Sequence, residues 1–398
     1  MADIYPFRPW RYAAAAGPLE HLATQPYDTI PPALADQYRA RSPYNLVRLI
    51  LPGNDYAGAA TRLATWIESG ILRRDDTPAL FVYEQSFCLP ETGEPLVRRG
   101  FIGLGNAADY GSSVHRHERT LDAPKADRLE LLRHTRTQFG SIFMMYPDPS
   151  GTVETLIDAI LPEQPTERFT DDQQTLHTLW RVDNPEWIAA IQRAMADKPL
   201  IIVDGHHRYE AALRYRDEHP DCPAAGRIMM ACVNLHSPGL RTLAAHRVVA
   251  GMEPFPMDAL LQTSTPLGTA AALEAAWKAT PPGRVRFGLA LSDGLRLLEV
   301  DRPDGALNLT VLHDRILHRI LGITPEAIAR QRFVTYCRGI GPAIERVTGG
   351  QAQAAFLVEP LQVAEVARLA VSGATLPQKS TDFYPKLASG LTMYRFDE

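Results

Sequence analysis

The sequence predicts a mixed α/β protein of the α+β kind, with a second, smaller α+β domain. Three observations point there. Strand-like runs at Ala79 to Phe87 and Val97 to Leu104 follow a helical pattern at Tyr56 to Ser69. A strand, a glycine turn and a helix succeed one another directly between Leu200 and Glu218. After Gly251 the texture changes to short strands alternating with short helices.

Ala33 to Arg41 reads as a helix and Asn45 to Leu51 as a strand. Tyr56 to Ser69 places Ala60, Leu63, Ala64 and Ile67 at helical spacing, with Gly70 as the stop. The next two runs form a hairpin turning at Glu91 to Glu94. Ala126 to Phe139 is expected to be a helix with Pro124 in its first turn, and Gly140 to Tyr146 a strand. Val153 to Leu161 and Trp187 to Ala196 read as helices, Leu200 to Val203 as a strand, His206 to Glu218 as a helix and Ile228 to Leu235 as a strand. Further on, Val285 to Leu291 and Leu295 to Val300 read as strands, with helices near Leu312 to Leu321 and Val363 to Leu369. The expected organisation is a catalytic domain over 1–250, an accessory domain over 251–375, and a segment over 376–398 returning to the core.

At 398 residues the chain can bury a full core without covalent staples. Its net charge of −5 argues against a protein living by non-specific attraction to phosphate backbones. Cys88, Cys222, Cys232 and Cys337 show no CxxC spacing, which fits a reducing compartment. No run reaches 18 apolar residues, and Ala13 to Ala16 is too short for a signal-peptide core. The expected location is the cytoplasm, with no membrane or nucleic-acid partner.

The sharpest chemical signal is Val203-Asp204-Gly205-His206-His207-Arg208-Tyr209-Glu210. Unpaired amides and the dipole at a helix start make an anion site. Arg208 in the first turn can grip a phosphate with its fork, and His206 and His207 add donors. Asp204 at the strand end can hold Mg²⁺ or accept a hydroxyl proton. The plainer reading leaves Asp204 as a helix cap.

A second cluster follows His115: His117, Glu118, Arg119 and Thr120, then Lys125 and Arg128. Its local excess of positive charge contrasts with the acidic whole and suits a phosphorylated ligand. Glu118 among cations stays ionised, available as a base or metal ligand. Lys379, Ser380 and Thr381, with Lys386, form a polar loop able to close over phosphates, although no P-loop spacing is present. Tyr27 and Arg48 are candidates for substrate binding, and Asp28 for a second base. Zinc is disfavoured, because adjacent histidines point apart and Arg208 and Arg119 repel a cation. A Gly-x-Ser-x-Gly nucleophile motif is absent.

The stretch DGHHRYEAA resembles the phosphate-binding turn of the ParB/sulfiredoxin-like fold, which includes free L-serine kinases using ADP or ATP. A longer resemblance rests on six stretches: Phe7-Arg8-Pro9-Trp10, Gln25-Pro26-Tyr27-Asp28, Tyr44 to Leu49, His117-Glu118-Arg119-Thr120, the same turn, and Pro377-Gln378-Lys379-Ser380-Thr381 with Phe383-Tyr384-Pro385-Lys386. These are similar to the domain of unknown function 1015 family, with Asp382 standing where that pattern has Tyr. The resemblance implies a ParB/sulfiredoxin-like core and a link to serine or phosphoserine. The leading expectation is a nucleotide-dependent kinase for a small-molecule hydroxyl, with free L-serine as acceptor, ATP or ADP as donor and Mg²⁺ bridging the phosphates. The alternatives are a phosphohydrolase acting on phosphoserine and a non-enzymatic nucleotide-responsive protein. A homodimer is compatible with each.

Overall fold

The computed structural model describes residues 3–161, 164–376 and 380–396. The chain divides into two units. The first comprises Met1–Arg241, Val363–Thr375 and Phe383–Glu398, and the second Thr242–Gln362 with Leu376–Asp382. Both are mixed α/β structures built on a sheet.

The first unit is organised on a nine-stranded mixed sheet. Its centre is antiparallel: Leu80–Cys88 pairs with Pro95–Asn106, as the hairpin pattern predicts, and with Leu176–Val182 on the other side. Glu167–Thr170 closes that edge. In the other direction Arg227–Asn234 lies antiparallel to Pro95–Asn106 and parallel to Ile142–Tyr146. Leu200–Asp204 runs antiparallel to Ile142–Tyr146 and parallel to the short strand Val114–His115. The inner strands are near-continuous apolar runs because both faces are covered. Met144, Ile202, Met229 and Cys232 are fully buried.

A second apolar cluster joins the N-terminal helices. Tyr38 on Pro32–Arg41, Val47, Leu49 and Ile50, and Leu63 and Trp66 on Tyr56–Glu68 pack with Leu46, Phe139 and Met393. Asp55 caps the Tyr56 helix by accepting from the Gly58 amide at 2.9 Å. Gly70, at φ 72°, occupies the left-handed position that stops it.

Two expectations are corrected here. Residues 47–50 form a short helix, not a strand: an Asx turn leads into it, in which Asn45 Oδ1 accepts from the Val47 amide at 3.0 Å. The helix expected over Ala126 to Phe139 spans Asp122–Thr135. Arg136 ends it in the left-handed region at φ 52°, and Thr137–Gln138 then pairs with Tyr394–Arg395. The Asp122 helix packs against His206–Glu218, and Arg133 bridges them through Glu218 at 2.5 Å.

The second unit carries a six-stranded sheet in which every pairing is antiparallel. Leu273 on Ala270–Lys278, with Ala343 and Val347 on Ile340–Thr348, packs onto Val248, Ala290 and Leu357. The helix expected near Leu312 takes a wider π turn at Leu312–His318. Among the described residues no helix is long and apolar enough to cross a membrane.

Candidate active site

The site is built where the Leu200–Asp204 strand turns into the His206–Glu218 helix. Gly205 makes the turn at φ 97°. A Cβ there would stand 2.8 Å from an Arg208 guanidinium nitrogen and 3.1 Å from Ile142 Cδ1, so glycine is required both for conformation and for space. Among the described residues no side-chain hydrogen bond caps this helix, and the N–H groups of a helix's first turn have no intrahelical acceptor.

Asp204 is the centre of the corner. Lys386 Nζ donates to Asp204 Oδ1 at 2.9 Å, and an Arg208 nitrogen donates to Oδ2 at 3.1 Å. All three side chains are only 15–18% exposed. Burial opposes the charge on Asp204, but Lys386 and then Arg208 overcome it and hold the carboxyl well below the usual range. The other Arg208 nitrogen donates to the carbonyls of Ser141 at 2.9 Å and Gly140 at 3.3 Å. The guanidinium is thereby fixed in direction.

Two histidines flank the corner. The rings of His117 and His206 meet edge to face at 4.7 Å, both deeply buried. His117 Nδ1 lies 2.8 Å from the Ile202 carbonyl, so Nδ1 carries the proton. Burial pushes His117 down to about 4, and burial with the neighbouring His117 holds His206 well below the ordinary imidazole value. Both are neutral at pH 7, so the corner carries one net positive charge from Lys386, Arg208 and Asp204. His206 Nε2 is buried with no hydrogen-bond partner among the described residues. An unsatisfied buried nitrogen costs about 1–3 kcal/mol unless a ligand supplies the missing atom.

The basic loop is organised by a residue the motif reading passed over. Glu210 accepts from Arg116 at 2.9 Å, from Thr120 at 2.7 Å and from Tyr110 at 3.3 Å, and Lys125 stands 3.4 Å from it. Its position four residues after His206, on the same helical face, is the signal that was available. His207 Nε2 accepts from the Leu121 amide at 3.0 Å, which ties the same loop to the helix. Arg119 is exposed and donates to Thr375 Oγ1 at 3.1 Å. Glu118 is half-buried, next to His117 in the chain.

Beside the corner lies an apolar pocket with a cavity volume of about 60 Å³. Leu131, Leu132, Ile142, Ala212 and Ile228 form walls, and Tyr27, Arg128 and Arg208 add polar edges. Arg128 is buried, pairs with Asp127, donates to the Ile50 carbonyl at 2.8 Å and stacks 4.0 Å over the Tyr27 ring. Arg208 thus faces both the pocket and Asp204.

Asp28 is exposed on the turn Tyr27–Thr29. Arg48 sits on a helix, not a strand, and donates to the carbonyls of Arg39 at 2.5 Å and Ser42 at 3.2 Å. Through these bonds it serves the end of the Pro32–Arg41 helix. Ser380 is buried and Thr381 half-buried, both in the second unit, and Lys379 lies outside the described residues.

Asp204 and Glu118 do not fit a protein-built Mg²⁺ cage. The Asp204 carboxylate already accepts from two cations, and among the described residues no three His, Cys, Asp or Glu converge on one point.

A family model described as protein of unknown function (DUF1015) matches residues 4–320. The chain belongs to that family. Among solved structures, this DUF1015 protein is similar to a free serine kinase in complex with AMP, at 13% identity, covering 72% of this chain and 91% of the kinase with a TM-score of 0.40. It is similar to SbnI from Staphylococcus aureus at 11% identity, covering 73% and 86% with a TM-score of 0.36. A conserved hypothetical protein from Pyrococcus furiosus gives 13% identity, 70% and 89% coverage and a TM-score of 0.37. No curated protein matches the chain.

Proposed function

We propose that this DUF1015 protein transfers a phosphoryl group from ATP or ADP to the hydroxyl of a small molecule, with free L-serine as the acceptor. The observation that carries this reading is the net positive corner of Asp204, Lys386 and Arg208 at the uncapped helix start. A phosphate oxygen there takes hydrogen bonds from the first helix amides and shares the two cations with Asp204. Buried Asp204 keeps both cations in place before the ligand arrives, so little reorganisation accompanies charge development. His206 Nε2 supplies a further contact.

The pocket beside Arg208 suits the nucleoside end of the donor. Its walls are apolar, and one guanidinium joins it to the corner. Glu118 takes the proton from the acceptor hydroxyl in this reading, with Asp28 as the second candidate.

The test is phosphorus NMR of the purified protein with L-serine and ATP or ADP, with and without added Mg²⁺. Appearance of phosphoserine supports the proposal. Release of inorganic phosphate from phosphoserine alone, with no transfer from either nucleotide, would replace it with a phosphohydrolase. Nucleotide binding with neither reaction would leave a nucleotide-responsive binding protein.

A further inference from the structure

Lys386 reaches Asp204 from a strap of chain, Phe383 to Ser389, that runs over the first unit's sheet. Three consecutive main-chain carbonyls of this strap are held from below. Arg98 donates to the Tyr384 carbonyl at 3.1 Å and to the Pro385 carbonyl at 2.5 Å. Gln85 donates through Nε2 to the Lys386 carbonyl at 2.9 Å, while its Oε1 accepts from Arg98. Two residues further, the Ala388 amide donates to the Tyr83 hydroxyl at 3.2 Å. That hydroxyl lies 2.6 Å from His177 Nδ1, and His177 Nε2 lies 3.1 Å from Asp171 Oδ2.

Arg98 is an expensive way to hold a strap. It is 1% exposed, its guanidinium sits 4.6 Å over the Phe143 ring, and its contacts are carbonyl oxygens rather than a carboxylate. Burying a cation among uncharged partners costs more than apolar packing does. Apolar side chains would seat the strap equally well against the sheet. They would not fix three successive carbonyl directions, and those directions set the backbone at Pro385 and Lys386 and hence the path of the Lys386 side chain.

We propose that Arg98, acting with Gln85, is a positioning residue that aims the Lys386 ammonium at Asp204. A lysine stem loses considerable rotamer freedom when its head is held. Holding the main chain on either side reduces the part of that loss that ligand binding would otherwise bear. The arrangement rests on the reading of the corner as a phosphoryl site only for its purpose, not for its geometry.

The test separates the two. Arg98→Met and Gln85→Leu are compared with wild type by the acetylation rate of individual lysines, read by peptide mass spectrometry. Lys198, paired with Asp148 at 3.4 Å and 17% exposed, is the internal reference. The expected result is a rise of fivefold or more in Lys386 acetylation in each variant, with Lys198 unchanged. Gln85→Leu keeps the test available if Arg98→Met fails to fold. Unchanged Lys386 acetylation in a folded variant, or an equal rise at Lys198, overturns the proposal. ADP affinity is measured on the same samples. Faster Lys386 acetylation with unaltered ADP affinity keeps the positioning role and sinks the phosphoryl-site reading instead.

Discussion

Lys386 and Asp204 meet at 2.9 Å across 182 residues of chain. The pair draws the end of the sequence onto the strand end that carries the most distinctive motif. Arg208, four residues after Asp204, closes the other side of the same carboxylate. The corner is therefore one charged unit made from a local turn and a distant strap.

Lys386→Met should destabilise the protein by about 3 kcal/mol, because it leaves a buried carboxylate with one cation in place of two. Adding Asp204→Asn to that variant should recover part of the loss. Chemical denaturation of the two single variants and the double variant measures the coupling. Strict additivity would mean that the two groups do not support each other.

Gly205→Ala should cost roughly 1–3 kcal/mol through the left-handed backbone at this turn. The new methyl also collides with Arg208, so anion binding should fall further than stability alone explains. Thermal melts and phosphate titration on one preparation separate the two effects.

Stability should fall as the pH drops from 6.5 towards 4. The folded pKa of His117 is depressed to about 4, so the unfolded chain binds more protons across that window and protonation favours unfolding. Full separation of those values amounts to about 3 kcal/mol, present above 6.5 and lost by 4. His246 and His313 of the second unit are depressed in the same direction. His117→Gln should therefore flatten the pH dependence of the melting temperature without abolishing it. An unaltered slope would show that His117 is not buried neutral.

Glu118→Gln should keep nucleotide affinity within about twofold and lower turnover by about 10²-fold or more, the usual contribution of a general base. Retained turnover would pass the role to Asp28, and Asp28→Asn would then show the loss.

The corner was half legible in the sequence. Asp204, Gly205, His206 and Arg208 stand together because a turn and one helical turn are local, and local chemistry shows in spacing. Arg98, Gln85 and Tyr83 were not legible, since they sit on strands whose alternation registers only burial and their partners are about 300 residues away. The run at 45–51 misled because a short apolar stretch fits either a strand or a buried helix. The strand Leu176–Val182 carries His177 and Thr178 at buried positions, so the apolar alternation that marks a strand is absent there.

The central claim is that Arg208 and Lys386 hold a phosphoryl group at this corner. Calorimetric titration of ADP into wild type, Arg208→Ala and Lys386→Met tests it most directly. Loss of a charge-assisted contact of about 2 kcal/mol predicts roughly thirtyfold weaker binding in Arg208→Ala, with Lys386→Met also weakened. Equal ADP affinity in all three folded proteins would contradict it.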